Sequence, residues 1–294
     1  MTPSNITPFR PKWSGTITER ERFRRQMHHE PVDRCFNMEF GYWADNFQLW
    51  PLFRDNGITN NEDADVFLNF DRAPTVSCLW MHPFFPEEEI SRNEKTRILR
   101  NGEGLIAEVP IDGHDTIPHF IDSSIKTPED WAKVKAERFK RDDPDRKIDV
   151  EAILKEHPND RDYPLGVYCG SMIGRVRNLL TVEGLAYSVY DYPEMVEDMV
   201  ETCCVLIEDF LDAVLPHVKF DFAGGWEDIC YKNGPLVSVN FFRDVVVPRY
   251  KRISAKLRAH GVDIWWIDCD GDVRPLIPHF LDGGVNTMFP WEVN

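Results

Sequence analysis

Hydrophobic side chains recur at three- and four-residue steps between residues 193 and 215, which predicts a long helix with one buried face and an acidic outer face. A second helix is predicted after Ser238, a good N-cap residue, and it should end at Gly261. A third is predicted to begin at Asp272 and to close at Gly283. These helices make the second half of the chain the better patterned half.

Short apolar runs alternate with these helices and predict buried strands. The runs lie at residues 166–169, 220–223, 263–267 and 285–289. Strands that alternate with helices form parallel βαβ units, which close into a barrel or open into a doubly wound sheet. No glycine-rich phosphate loop follows any of these strands, so the pattern favours the barrel over a dinucleotide-binding fold.

The first half of the chain is patterned more loosely. Residues 35–43 and 66–70 are predicted as the first two strands of the barrel, and residues 96–109, broken by an Asn-Gly pair, as an inserted hairpin. The fold predicted for residues 1–294 is therefore α/β, a single (β/α)8 TIM-type barrel domain with an inserted hairpin in its first half. Because the strand count reaches only six, we expect a truncated sequence that lacks the last two strand-helix units.

Composition and charge narrow the range of partners. The sequence holds 34 Lys and Arg against 50 Asp and Glu, a formal net charge of −16, which would repel a phosphate backbone and disfavours nucleic acid as a partner. No apolar run approaches the roughly 18 residues of a membrane span, and the amino terminus lacks the apolar block of a secretory signal. The seven cysteines form no C-x-x-C pair. We expect a cytoplasmic protein with reduced thiols and no membrane partner.

Acidic residues are concentrated where a β/α barrel carries its active site, at the carboxyl ends of the predicted strands. They are Glu39 in strand one, Asp71 after strand two, Glu227 with Asp228 after strand four, Asp268 and Asp270 after strand five, and Glu292 after strand six. Carboxylates that share one opening raise one another's pKa unless a cation or a hydrogen-bond donor compensates. Such an opening suits a divalent metal, a cationic substrate or a protonated carboxyl that acts as a general acid.

Asp268 and Asp270 lie two residues apart at a strand end and are the best candidate ligands for a divalent metal. Together with Asp71 and Glu227 they are the candidate catalytic residues.

Trp43 and Trp226 lie near predicted strand ends, where large flat rings would form the floor of a pocket for a bulky ligand. Packing at the top of the barrel explains the same rings equally well. Glu39 and Glu292 complete the acidic side of this predicted substrate site.

Several stretches of the chain resemble one known group of proteins. They are residues 18–23 (TERERF), 30–34 (EPVDR), 233–235 (NGP), 248–251 (PRYK) and 271–278 (GDVRPLIP). In these motifs, and over most of its length, the sequence resembles the uroporphyrinogen decarboxylase superfamily. The resemblance implies a β/α barrel from a group that contains porphyrinogen decarboxylases and cobamide-dependent methyltransferases.

Departures from the family motifs bear on the decarboxylase branch. The decarboxylases carry an arginine-rich R-Q-A-G-R loop, whereas residues 39–43 (EFGYW) stand in the comparable region of this chain. The resemblance places the decarboxylases' catalytic aspartate at Asp71. A substrate with several carboxylates would need cations, and only Arg72, Arg175 and Arg177 are well placed to offer them. Electrostatics therefore count against that substrate.

The methyltransferase branch carries an H-x-C-G motif, whose histidine and cysteine bind zinc and activate a thiol. The matching positions here are Asp268, Asp270 and Gly271. Carboxylates in place of imidazole and thiolate shift any surviving site toward a harder metal or abolish metal binding.

Three functions stay open at this point. The first is a barrel enzyme of the methyltransferase type that handles a methyl group on a corrinoid carried by a partner protein, with a divalent metal or an oriented substrate at Asp268 and Asp270. The second is decarboxylation of uroporphyrinogen or a related porphyrinogen acid, in which Asp71 stabilises the protonated pyrrole and arginines hold the carboxylates. The third is a relative that binds a ligand without catalysis. Each implies a small-molecule ligand, and a homodimer stays open as the assembly.

Overall fold

The computed structural model describes residues 6–111 and 117–291. Within these residues the chain forms two compact units. The first unit falls in Met1–Pro74, Pro110–Ile117 and Asp160–Pro164, and the second in Thr75–Val109, Pro118–Asn159 and Leu165–Asn294. A single barrel domain over the whole chain remains a prediction.

Four helices make up the regular structure in the described part of the first unit. They are α1 (Glu19–Met27), α2 (Ala44–Leu49), α3 (Pro51–Arg54) and α4 (Asn61–Leu68). Thr18 caps α1 by accepting a hydrogen bond from the amide of Glu21 at 3.1 Å. A small apolar core lies among these helices and consists of Phe53, Ile58, Ala64 and Phe67.

The prediction of two strands in this unit is wrong. Residues 35–43 form neither helix nor strand. Their backbone is fixed at Asn37, whose amide donates to the Asp71 carboxylate at 2.8 Å and whose carbonyl accepts from the Asp71 amide at 2.7 Å. Residues 66–70 fall at the end of α4, which Asn60 caps at its start and the left-handed Asn69 (φ 59°) ends. Side-chain caps and one buried carboxylate thus take the place of a strand ladder.

The strands of the described residues belong to three sheets. In chain order they are β1 (Thr75–Ser77), β2 (Glu88–Arg92), β3 (Thr96–Arg100), β4 (Leu105–Pro110), β5 (His119–Ser123), β6 (Gly166–Tyr168), β7 (Phe222–Trp226), β8 (Cys230–Tyr231), β9 (Gly234–Pro235), β10 (Trp265–Asp268) and β11 (Thr287–Phe289). The predicted runs of the second half are confirmed as β6, β7, β10 and β11.

The central sheet has five parallel strands in the order β1, β6, β7, β10, β11. Its first strand, β1, was not predicted, because a three-residue strand carries too little pattern to stand out. Among the strand pairings of the described residues, none joins β11 back to β1. The protein is therefore mixed α/β with a parallel central sheet, and closure of that sheet into a barrel remains a prediction.

The predicted inserted hairpin is confirmed. Strands β3 and β4 are neighbours in an antiparallel sheet of four strands, β2 to β5. Their turn is fixed by Asn101, whose side-chain oxygen accepts hydrogen bonds from the amides of Glu103 and Leu105 at 3.0 and 2.9 Å. Gly104 supplies the left-handed residue of the turn, with φ 89°. The insertion thus carries Glu103 at its tip.

The helices after α4 include the three that the sequence predicts in the second half of the chain. Those after α4 are α5 (Pro128–Arg138), α6 (Val150–Glu156), α7 (Ile173–Leu180), α8 (Val182–Asp191), α9 (Pro193–Val214), α10 (Val239–Phe241), α11 (Val247–Ala259) and α12 (Ile277–Gly283). The long helix predicted from periodicity is confirmed as α9, which buries its apolar face in the main core. None of the described helices is both long and apolar enough to span a membrane.

Two helix predictions need correction. The helix predicted after Ser238 is interrupted by a π-helical turn, Phe242–Val246, between α10 and α11. The last helix begins at Ile277 and not at Asp272. The Asp272 carboxylate instead accepts hydrogen bonds from the backbone amide and the guanidinium of Arg274, which sets a 3-10 turn ahead of α12.

Candidate active site

The polar residues of the candidate site lie where the parallel strands β6, β7 and β10 end. Tyr168 ends β6 and stands opposite Gly224 of β7, and Trp226 ends β7 opposite Asp268 of β10. Because parallel strands present their carboxyl ends at one edge of a sheet, these residues share that edge. The structure therefore brings together Trp226, Glu227, Asp268 and Asp270 from the predicted site.

Asp268 is the titratable centre of this edge. Burial is the first reason that its pKa rises to about 6, and the neighbouring carboxylates of Asp228 and Asp270 raise it further. Asp228 has a raised pKa as well, mainly through burial, although the Arg177 guanidinium works in the opposite direction. A carboxyl with a pKa near 6 exists in both protonation states close to neutral pH, which suits it to general acid and base catalysis.

Asp228 has a strained backbone and one carboxylate oxygen without a partner. Its φ is +46°, a conformation that residues other than glycine seldom adopt. Its carbonyl accepts a hydrogen bond from the Arg177 guanidinium. Within the described structure its Oδ1 is buried and has no hydrogen-bond partner. Strain and an unpartnered acceptor make Asp228 a candidate site residue. The sequence placed it among the strand-end acids but not among the candidate catalytic or substrate-binding residues.

Glu227, in contrast, has its carboxylate fully engaged. It is completely buried, and burial raises its pKa. Its donors are the Ser171 hydroxyl at 2.8 Å, the amides of Met172, Ile173 and Gly174 at 2.9 Å each, and the Tyr250 hydroxyl. Three of these donors lie at the start of α7, so Glu227 ties the end of β7 to that helix. These contacts favour a positioning role over the direct catalytic role that the sequence suggested.

Arg175 enters the site from the first turn of α7. Only 6% of the residue is exposed, and its guanidinium lies 4.9 Å from the centroid of the Trp80 ring. Gly170, in the left-handed region with φ 63°, gives this guanidinium room, because a Cβ there would collide with Nη2. The Nη1 atom is buried and lacks a hydrogen-bond partner within the described residues.

Arg177 and Tyr168 connect the acids with Arg175. Arg177 lies over the Trp226 ring at 5.6 Å. Burial raises the pKa of Tyr168 to about 12, Arg175 lowers it, and the carboxylates of Asp268 and Asp228 raise it further. The Tyr168 hydroxyl is therefore within electrostatic reach of both the buried arginine and the acids. Sequence analysis missed Tyr168, although its position at the end of a predicted strand could have identified it.

Asp71 belongs to the first unit and forms a buried ion-pair network there. Both Nη atoms of Arg34 donate to it at 2.6 Å, Lys12 Nζ lies 2.8 Å from it, and the Asn37 amide donates at 2.8 Å. Burial alone would raise the pKa of Asp71, but the hydrogen bonds from Arg34 and Lys12 outweigh burial and hold the pKa below its usual range. Its contacts are those of a structural ion pair, and its predicted catalytic role has no support in them.

The remaining predicted residues of the first unit lie at its surface. Arg72 stacks on the Tyr163 ring at 3.9 Å. Glu39 accepts a hydrogen bond from the Phe40 amide, and Trp43 is 55% exposed at the start of α2. Their roles in substrate binding stay predictions. Glu292 lies outside the described residues.

The strand-end acids do not form a ready metal site. Among the described residues, the group of three or more metal-ligating side chains whose atoms approach within 4.8 Å is His82, Asp143 and Asp145, not the pair Asp268 and Asp270. A hydrogen bond with Cys230, and then burial, raise the pKa of the Cys269 thiol, which disfavours a thiolate ligand beside those aspartates. The metal site at Asp268 and Asp270 therefore stays a prediction.

Comparisons with known proteins support the fold and leave the family open. No family profile matches the chain, and no curated protein matches it by sequence. Membership of the superfamily named above therefore stays a prediction. Among solved structures, the chain is similar to a methyltransferase from Methanosarcina mazei, with a TM-score of 0.55 and 12% sequence identity, over 92% of this chain and 75% of that one. At this identity the similarity shows that the two proteins share a fold.

Proposed function

We propose that this protein is a methyltransferase that acts on a small molecule at the carboxyl ends of β6, β7 and β10. The observation that carries the proposal is the similarity of fold to a methyltransferase over 92% of the chain. The position of the titratable acid supports it, because enzymes built on parallel α/β sheets place their active sites at the carboxyl ends of the strands. The methyl group would be exchanged with a corrinoid carried by a partner protein.

The side chains of the site would divide the work between binding and proton transfer. Asp268, with a pKa of about 6, holds or releases the proton that accompanies a change of charge on the substrate. Arg175 and Arg177 bind and orient the substrate, and Glu227 positions the helix that carries them. The corrinoid supplies the methyl carrier. This scheme requires no metal at Asp268 and Asp270, which do not belong to the group of three metal-ligating side chains found among the described residues.

Decarboxylation of a porphyrinogen gains no support from the aspartate that the resemblance assigned to it. The oxygens of Asp71 are taken by Arg34, Lys12 and Asn37. A relative that binds a ligand without catalysis would keep the same strand-end residues, and only an activity measurement separates it from an enzyme.

A methyl-transfer assay tests the proposal. The purified chain is incubated with cob(I)alamin and a panel of methylated amines, ethers and thioethers, and methylcobalamin is measured by mass spectrometry. We expect formation above the uncatalysed rate with at least one donor. The D268N variant should lose about 100-fold or more of that rate, the range of general acid-base catalysis.

The matched control is D244N, an exposed carboxylate paired with Arg243, which should keep the full rate. The proposal would be refuted if the folded protein transferred no methyl group from these donors to cob(I)alamin and none from methylcobalamin to the demethylated compounds. Release of carbon dioxide from uroporphyrinogen would favour the decarboxylase, and elemental analysis of the same sample checks for a bound metal.

A further inference from the structure

Two buried atoms of opposite charge lack a protein partner at the candidate site. They are Nη1 of Arg175 and Oδ1 of Asp228, and neither makes a hydrogen bond within the described structure. An unpartnered buried group of this kind destabilises the folded state, and a charged group does so more strongly than a neutral one. A ligand, an ion or an ordered water that supplies the missing partner is one explanation for such a group in a native structure.

The guanidinium of Arg175 has a buried nitrogen to which an anion can bind. Arg175 takes part in none of the ion pairs formed by the described residues, although 94% of it is removed from solvent. Trp80 supports one face of its guanidinium, which packs directly against the Cα of Gly170. Burial raises the pKa of Glu103, and the charge of Arg175 and a hydrogen bond with Asn178 lower it, but Glu103 makes no ion pair with Arg175 among the described contacts. An oxyanion of a ligand is therefore the partner that the guanidinium lacks.

The other end of the site is suited to a cation. The carboxylate of Asp270 raises the pKa of Asp228, and both of these carboxylates raise the pKa of Asp268, so the three acids lie close together. Arg177 compensates only in part, because its hydrogen bonds go to the Asp228 carbonyl and to Asn178. The ring of Trp226 lies beside these acids and could contribute to binding a cationic group.

We propose that the site binds a small zwitterion, with its carboxylate on Arg175 and its ammonium group against Asp228 and Asp268. The three carboxyls outnumber the two arginines, so a carboxylate with one charge fits better than a phosphate with two. This inference rests on the proposed function in one respect. If the site transfers methyl groups, the ammonium end would carry them.

Three probes of matched shape test the two ends separately. Trimethylglycine carries both charges, 3,3-dimethylbutanoate has the same shape without the positive charge, and choline lacks the carboxylate. In titration calorimetry on the full chain, we expect trimethylglycine to bind at least about tenfold more tightly than either of the other two, since each charged hydrogen bond contributes about 1.5 to 3 kcal/mol.

Two substitutions should remove the two ends one at a time. R175M should weaken trimethylglycine and 3,3-dimethylbutanoate by about tenfold or more and leave choline unchanged. D228N should weaken trimethylglycine and choline and leave 3,3-dimethylbutanoate unchanged. The matched controls R243M and D244N each remove one partner of an exposed ion pair that belongs to neither end of the proposed site. They should change none of the three affinities.

The outcomes decide the inference and the proposed function independently. Equal affinities for the three probes, or no binding of any probe, would overturn the zwitterion site. So would a loss of choline binding in R175M or of 3,3-dimethylbutanoate binding in D228N. If R175M fails to fold by circular dichroism, R175K, which keeps the charge, should bind 3,3-dimethylbutanoate, and failure to do so has the same meaning. Binding without methyl transfer would leave the inference standing and refute the proposed function. If the protein transfers methyl groups from donors without a carboxylate, and R175M transfers them at the same rate, the proposed function stands and the zwitterion site is refuted.

Discussion

The D268N substitution should make the protein more stable at pH 8. In the folded chain the pKa of Asp268 is raised from 3.8 to about 6, first by burial and then by Asp228 and Asp270. The folded state therefore holds this proton more tightly than the unfolded state does. The resulting cost to stability is absent below pH of about 4, grows between about 4 and 6, and is fully present above 6.

The size of the gain follows from that shift. A difference from 3.8 to about 6 corresponds to about 3 kcal/mol at ~1.36 kcal/mol per pKa unit. Asp268 is only partly buried, so solvent screening reduces the figure, and we expect about 1.5 kcal/mol. No hydrogen bond to the Asp268 carboxylate occurs among the described contacts, so an amide in its place breaks none.

Urea unfolding at pH 8 and at pH 4 measures this gain, with tryptophan fluorescence as the probe because Trp265 and Trp266 precede Asp268 in β10. D268N should raise the unfolding free energy at pH 8 and change it little at pH 4. The control D282N removes an exposed carboxylate paired with Lys251 and should stay within about 0.5 kcal/mol at both values. A loss of stability in D268N at pH 8, or a gain of equal size at both values, would refute the reasoning.

Three further substitutions test the surrounding structure. G170A should destabilise the chain by about 1 kcal/mol, because φ is 63° there, and should weaken carboxylate binding by displacing Arg175, as calorimetry would show. E227Q should cost about 2 to 4 kcal/mol in urea unfolding, because an amide would point a donor at backbone amides. D71N should cost about 3 kcal/mol at pH 7 by leaving Arg34 buried without its partner. Since the pKa of Asp71 is lowered, its contribution is present above the unfolded pKa and is lost on acidification, so D71N and the unsubstituted protein should converge in stability at low pH.

The second half of the chain could be predicted because its pattern and its burial coincide. The apolar positions of α9 repeat with the helical period, and the same positions are buried in the structure. Strands β6, β7 and β10 were recognisable as short apolar runs because a parallel strand is covered on both faces. In both cases the sequence pattern depends on local periodicity alone.

The first half failed where long-range polar contacts determine the backbone. Alternation in residues 35–43 imitates a strand, yet the segment is fixed by Asp71, which lies 34 residues from Asn37 in the chain. Nothing in the spacing of Arg34 and Asp71 reveals that they pair. For the same reason Glu227 and Asp268 look alike in the sequence, as acids at strand ends, although one is saturated by donors from α7 and the other faces like charges.

The two proposals together predict a conflict between stability and function at the strand ends. The unpartnered Nη1 of Arg175, the unpartnered Oδ1 of Asp228 and the repulsion between the carboxyls each cost folding free energy, which the contacts with Trp80 and Arg177 offset only in part. If the site were only structural, substitutions that remove these charges would stabilise the protein and change nothing else. If it both binds a zwitterion and transfers its methyl group, D268N should raise stability and lower methyl transfer in the same sample. If D268N raises both the stability and the rate of methyl transfer, or changes neither, the acids at these strand ends do not serve the proposed chemistry.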